Sequence, residues 1–258
     1  MSALSNAVTI LRWLRQHGPE VGVTEVATAL DLPKSTASRV LKDMAAHGLL
    51  ERDAATARYR VGMLLLEVGR HYGAGQPLIE AADATMAELT RRTGHATGIS
   101  LLDDVDVVVL RSRAGTRPLR VVTPPGKRGP AWATSTGRCL LARLDDAEIA
   151  DRFRVFPKPQ LPAAPRSLSA LMDRLRQVRA AGWEEAEEES MSGVAAVSVS
   201  VADPRTDEAV ALYFAFSALH VDKRERRELV TLLRDAAVQL AAQFGDASPA
   251  RALRRAHG

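Results

Sequence analysis

Leu32-Pro33-Lys34-Ser35-Thr36-Ala37-Ser38-Arg39-Val40-Leu41-Lys42-Asp43-Met44 carries two stripes of opposite character. Ala37, Val40, Leu41 and Met44 recur at helical spacing and define a face that must be buried. Ser35, Ser38, Arg39 and Lys42 recur on the opposite face, with Lys34 and Thr36 beside them near the helix start. A helix docked only on a core needs the first stripe. A helix lying in a major groove also needs the second, because short hydroxyls approach base edges and cations meet guanine or phosphate. Taken alone, the polar stripe also suits a solvated face with Ser35 and Thr36 as capping residues.

The flanking residues favour the groove. Upstream, Leu4, Ala7, Val8, Leu11 and Leu14 predict a helix ended by His17-Gly18-Pro19. Thr24 is the expected N-cap of a second short helix through Val26, Ala27 and Leu30, and Asp31-Leu32-Pro33 is a tight turn. Downstream, Leu49–Arg52 and Arg58–Val61 read as two strands joined by Asp53–Ala57. Arg52, Arg58 and Arg60 surround Tyr59, as expected of a wing resting on a neighbouring phosphate or minor groove. Helix, turn, helix and basic hairpin in that order predict DNA binding. Thr24, Lys34, Ser35, Thr36, Ser38, Arg39 and Lys42 form the reading surface, supported by Arg58, Tyr59 and Arg60.

Composition agrees with this reading. The chain has 258 residues, 46% of them hydrophobic, and a formal charge of +4. It is long enough for two domains with ordinary cores and mildly suited to a polyanion. The single cysteine, Cys139, excludes an intramolecular disulfide framework and favours a reducing compartment. With no signal-like N-terminus and no apolar run of membrane length, a cytoplasmic location is expected.

Beyond a helix over Met63–Tyr72 and the breaker Gly73-Ala74-Gly75, a long amphipathic helix is predicted from Pro77 to Thr93. Strands follow at Ala96–Leu102, Val105–Leu110 and Leu119–Thr123. Helices are expected over Thr134–Ala142 and Ser167–Ala181, strands at Ala195–Val201 and Ala209–Phe216, and a closing helix over Asp222–Phe244. The fold class is therefore α+β in two domains: an all-α winged-helix N-terminal domain, and an α/β domain with a largely antiparallel sheet flanked by helices. The expected boundaries are 1–62 for the DNA-binding domain, 63–76 for a linker helix, 77–245 for the second domain, and 246–258 for a frayed tail that includes Arg251, Arg254 and Arg255.

The segments Leu32–Leu41, Gly48–Arg52 and Tyr59–Gly62 resemble the winged-helix domain of IclR-type regulators. So do Leu119-Arg120, Gly126, Ala133–Ala142, Val178–Trp183, Glu187–Glu189 and Gly193-Val194 in the second domain, colinearly over roughly residues 3 to 244. The resemblance implies a ligand-responsive regulator of a partly palindromic operator, working as a dimer or tetramer. Its second domain would be similar to GAF and profilin-like folds and would sense a small organic acid, often for a catabolic operon. It also implies a pocket over the sheet, with Ser135 and Thr136 presenting backbone N–H groups and hydroxyls to a ligand carboxylate, and Glu189 orienting the pocket loop. A simple helix-capping role fits Ser135 and Thr136 equally well.

Strand alternation puts Ala196, Ser198 and Ser200 on one face, and Tyr213, Ala215 and Ser217 on one face. Ala196, Tyr213, Ala215 and Trp132 replace the cysteine, small hydroxyls and histidine of members that sense short oxoacids. A wider site walled by Trp132 and Tyr213, taking a larger and aromatic acid, follows from the resemblance; the alternative is that both rings are core. Arg111, Arg113 and Arg120 cluster around one strand pair, and Arg120 is a candidate counterion for an anionic effector; the alternative for each of the three is a solvated or interface role.

Other chemistry finds little support. The run Glu184-Glu185-Ala186-Glu187-Glu188-Glu189 lacks the spacing of a calcium loop and reads as a solvated face. The six histidines show no metal-ligand spacing, no cofactor is expected, and Cys139 reads as a buried thiol. An enzyme or metabolite-binding module carrying its own autoregulatory DNA-binding domain is the alternative. It would need a nucleophile–base or metal constellation, and none is legible.

Overall fold

The computed structural model describes residues 2–118, 120–121 and 123–248, which divide into two compact units, one ending at Ala74 and the other beginning at Gly75. In the first unit, α1 (Ala3–His17), α2 (Val23–Ala29) and α3 (Lys34–Ala46) enclose a core with β2 (Leu50–Arg52) and β3 (Tyr59–Val61). The buried residues of α3 are the predicted stripe, Ala37, Val40, Leu41 and Met44. Two expectations change. Thr24 is not the cap of α2: Gly22 is, and the Glu25 side chain reaches back 3.0 Å to accept the Gly22 N–H. The wing also has a third strand, β1 (Glu20–Val21), in the order β1-β3-β2. Two residues are too short to show alternation, so only the partner strand reveals them. A short helix, α4 (Met63–Gly69), follows Gly62 and ends earlier than expected.

The second unit is a six-stranded sheet flanked by helices. Its strands are β4 (Ala96–Asp103), β5 (Asp106–Arg113), β6 (Arg128–Pro130), β7 (Glu184–Glu187), β8 (Val194–Asp203) and β9 (Glu208–Ser217), in the order β6-β5-β4-β9-β8-β7. Every pairing is antiparallel. One face packs on α5 (Pro77–Thr93) and α9 (Lys223–Phe244) through Val197, Val199, Leu212, Phe214 and Phe216. The other face meets α6 (Ser135–Leu141), α7 (Asp146–Arg152) and α8 (Leu168–Ala181) through Val107, Ala211, Trp132, Leu140 and Leu171. This division follows from alternation, since neighbouring residues of a strand face opposite ways.

The strand expected at Leu119–Thr123 is not found: Arg120, Val121 and Thr123 are irregular, while Leu119 and Val122 lie outside the described residues. Of the predicted tail, residues 249–258, including its arginines, also lie outside them. The strand β6, the 3-10 turn Ala131–Ala133, α7, and the edge strand β7, whose glutamates disguised it as a solvated junction, were not anticipated.

Thr134 caps α6 by accepting the Gly137 N–H at 3.1 Å, while Ala131–Ala133 form a 3-10 turn packed against the same helix. A Cβ on Gly137 would lie 2.2 Å from the Ala131 carbonyl oxygen, so only glycine allows this approach. Gly137→Ala should therefore lower the unfolding free energy of the full chain by at least about 2 kcal/mol, read as a lower urea midpoint at unchanged slope.

Candidate nucleic-acid interface and ligand cavity

On α3 the polar stripe faces outward. Lys34, Ser35, Arg39 and Lys42 are exposed and Thr36 and Ser38 half-buried. Lys34, Arg39 and Lys42 make no ion pair with any described residue, although many arginines elsewhere are matched to carboxylates. An exposed row of unmatched cations and free hydroxyls on a helix projecting from a small domain is the chemistry required to meet a phosphate backbone and base edges. Thr24 is exposed in the first turn of α2.

The wing differs from expectation. Arg58 donates two hydrogen bonds of 2.9 Å to the Glu25 carboxylate, and its Nε lies 3.7 Å from Glu20. These bonds, with the Gly22 N–H, hold the Glu25 carboxyl below its ordinary range. Arg60 donates to Glu51, its register partner across β2 and β3, at 2.9 and 3.1 Å. Tyr59 is 1% exposed and belongs to the core. Arg58 and Tyr59 thus fasten the wing to its own domain, Arg60 ties its two strands together, and Arg52 on the hairpin makes no ion pair with a described residue. Its neighbours' carboxylates, Glu20, Glu25 and Glu51, were the sequence signal that two of the three arginines had internal partners.

In the second unit a cavity of about 350 Å³ opens beside α6. Register explains why there is space. Rows Ala96–Ala215–Ala196, Gly98–Tyr213–Ser198 and Ser100–Ala211–Ser200 run across β4, β9 and β8 on one face. Tyr213 is the only large side chain among them. It lies over Gly98, where a Cβ would come 2.4 Å from the Tyr213 hydroxyl. Burial pushes the phenol up to about 12, eased by the nearby Thr123 hydroxyl.

The walls bring together Ser135, Thr136, Glu189, Ala196, Tyr213 and Ala215 from the predicted set. Ser198 sits beneath them, its hydroxyl 2.7 Å from that of Ser135. Two predicted residues are elsewhere. Trp132 is core, tilted against Phe156 at 5.2 Å between centroids, because the 3-10 turn directs it into the α7–α8 side. Arg120 is not on the wall, and its guanidinium donates to the Gly115 carbonyl at 3.4 Å. Arg113, of the same predicted cluster, pairs with Asp83 at 2.7 Å. Lys127, which sequence reasoning passed over, lines the cavity and makes no ion pair with a described residue.

The glutamate run is a solvated face only in part: Glu187 and Glu188 are exposed, while Glu184 and Glu189 are buried. Arg138 of α6 is fully buried and grips Glu189 through two hydrogen bonds of 2.6 and 3.0 Å. Its Nε lies 3.4 Å from Glu184, and it also donates to the carbonyls of Trp132 and Glu185. Arg174 of α8 binds Glu184 at 2.7 Å. On the outer face Arg226 ties Glu185 and Glu187 to α9. Strand alternation divides the run: Glu184 turns inward and Glu187 outward. Cys139 is buried, its thiol donating to the Ser198 carbonyl at 3.3 Å and pushed upward by desolvation. Among the described residues no group of three histidine, cysteine or carboxylate side chains is placed to hold a metal ion, and no helix is long and apolar enough to cross a membrane.

Two family models match the chain: the IclR helix-turn-helix domain over residues 3–54, and the bacterial transcriptional regulator IclR C-terminal domain over residues 71–242. The HTH-type transcriptional regulator KdgR of Escherichia coli (strain K12) is 30% identical, with 88% of this chain and 86% of that protein aligned. The HTH-type transcriptional regulator XynR of the same organism is 28% identical over 95% of this chain and 98% of that protein. An IclR homolog from Microbacterium hydrocarbonoxydans, solved in complex with 4-hydroxybenzoate, has the same fold. It superposes with a TM-score of 0.80 at 22% identity, covering 94% of this chain and 99% of that one.

Removing the charge of Glu189 strands most of the Arg138 guanidinium in a dry interior. Glu189→Gln should cost about 3 kcal/mol, the lower end for a broken buried pair because Glu184 remains. Equilibrium denaturation of the full chain would show it, and a loss below about 1 kcal/mol would mean that water reaches Arg138.

Proposed function

The chain belongs to the IclR family of bacterial transcriptional regulators, and from that premise we propose that it binds a partly palindromic operator and releases or tightens its grip when a small organic acid, of aromatic class, fills the cavity beside α6. The observation that carries the reading is the pairing of an exposed, unmatched cationic helix face with a separate cavity of about 350 Å³ in the second unit. That volume lies within the range of small-molecule sites. Thr136 offers a buried hydroxyl on the wall, and Lys127 supplies the unmatched positive charge that a carboxylate requires. A floor of alanine, glycine and serine leaves width for a ring rather than only a short acid. That the Microbacterium hydrocarbonoxydans homolog binds 4-hydroxybenzoate supports the same class. The gene set controlled is proposed to be a catabolic operon for that acid, with the protein acting in the cytoplasm.

A partly palindromic operator calls for two copies. The helix α4 supports self-association, since it buries none of its residues, while Leu66 is 66% and Val68 61% exposed. Single exposed apolar residues are common, but several on one short helix indicate a contact surface. Leu66→Glu should reduce the solution mass measured by light scattering; an unchanged mass would place the self-contact elsewhere.

The deciding experiment is a mobility shift on the gene's own upstream DNA against a scrambled duplex at matched salt, with and without aromatic acids. Specific binding that one acid changes is expected. Equal, steeply salt-dependent binding to both duplexes would reduce the reading to generic phosphate attraction. Arg39→Ala should cost about 1–3 kcal/mol on the operator and relax base preference if Arg39 meets a base. A uniform loss on every sequence would make it a phosphate contact.

A further inference from the structure

The wing of the first unit carries as many carboxylates as cations. Arg52, Arg58 and Arg60 stand against Glu20, Glu51 and Asp53, with Glu25 of α2 beside them. On α3 the balance is opposite, since Lys34, Arg39 and Lys42 share the helix with one acid, Asp43. Both paired guanidinium groups of the wing can be reached from solvent: the Arg58 side chain is 36% exposed and that of Arg60 58%. Pairing, not burial, is therefore what keeps them from a phosphate.

Glu25 has the geometry to do this. Its two oxygens each accept a hydrogen bond from Arg58, one from Nη1 and one from Nη2, both at 2.9 Å, which is the bidentate form. The Gly22 N–H donates to one of those oxygens at 3.0 Å, so the carboxylate is fixed at the start of α2. The bonds from Arg58, and then that from Gly22, hold the carboxyl below its ordinary range, and it stays ionised at neutral pH. Glu20 closes another side of the guanidinium, its carboxylate 3.7 Å from Nε and its carbonyl 3.4 Å from Nη2. A phosphate taking Arg58 would displace a two-pronged, charge-assisted pair and leave Glu25 facing a like charge.

We infer that Glu25 is a positioning residue of the DNA-binding unit, holding Arg58 away from phosphate so that the wing meets DNA with Arg52 as its unmatched cation. This rests on the DNA-binding reading above and deepens it, because Glu25 then limits the sequence-independent part of the grip. Each phosphate neutralised releases counterions and adds about 0.9 to the slope of log affinity against log salt. A cation withheld from phosphate lowers affinity for every duplex alike and leaves base reading on α3 unchanged. A weaker generic grip also lies closer to what a small effector can reverse, since its leverage is bounded by its differential affinity for two states.

The test is fluorescence anisotropy of the full chain on its gene's own upstream duplex and on a scrambled one, each across about 50–200 mM salt. Wild type, Glu25→Gln, Arg58→Gln and the double variant are compared. Glutamine keeps an acceptor for the Gly22 N–H, and a melting curve of each variant verifies folding. Glu25→Gln should tighten binding to both duplexes about threefold at the low-salt end and steepen the salt slope by about 0.9. Arg58→Gln should leave the wild-type slope unchanged, and the double variant should return to it. A merely structural pair would move affinity or melting temperature without moving the slope. An unchanged slope in Glu25→Gln, or a slope shallower by about 0.9 in Arg58→Gln, overturns the inference. So does a steepened slope that persists in the double variant, since the charge of Glu25 itself would then be the cause. If Glu25→Gln does not fold, the slope of Arg58→Gln decides alone. Equal binding of both duplexes by the wild type fails the operator reading and leaves this inference standing, because it concerns phosphate alone. If the wild type binds neither duplex, both fail.

Discussion

The second unit depends on one buried cation. Arg138 is fully enclosed, and its partners come from separate parts of the chain: Glu189 after β7, Glu184 on β7, and the carbonyls of Trp132 and Glu185. Burying a guanidinium is expensive unless its charge and its N–H groups are both met. That requirement fixes α6 against the sheet edge and draws the acidic segment over it. Because Glu189 also lines the cavity beside α6, the residue that neutralises Arg138 is itself part of the cavity wall. Replacing the whole cluster by apolar side chains would remove Glu189 from that wall.

Ion pairing also separates matched from unmatched arginines in the first unit. Arg58 and Arg60 look equivalent to Arg39 as letters, yet both have carboxylates within hydrogen-bond reach across the wing. Arg39 and Lys42 have none among the described residues. A charge that already has a partner in the folded domain must break that pair before it can bind phosphate, whereas an unmatched one need not. The cations without a carboxylate partner among the described residues of these elements thus lie on α3 and at Arg52.

Much of this was legible in the sequence, for identifiable reasons. The buried stripe of α3 and the amphipathic α5, 17 residues long, were readable because helical periodicity repeats within each segment. The alternation of β8 and β9 placed Ala196, Ser198, Tyr213 and Ala215 on one face in the same way. What failed depends on neighbours distant in the chain. The two-residue β1 exists only through β3, and β7 looks polar because each glutamate has an arginine partner from a helix. Trp132 and Tyr213 were equivalent candidates as rings; the 3-10 turn sends the first into the core, and Gly98 lays the second along the cavity floor. Nothing in local pattern distinguishes them.

The sheet has one further consequence, for how such a protein can change over time. Its two faces answer to different demands: one is locked into the core under α5 and α9, the other is tiled with small residues beneath a cavity. Because adjacent positions on a strand point opposite ways, a substitution at Ala196 or Ala215 reshapes the cavity without disturbing Val197 or Phe214 behind it. The strand period therefore insulates folding from the shape of the cavity. A lineage built on this sheet can remodel that cavity through single replacements, each tried against a core that stays unaltered.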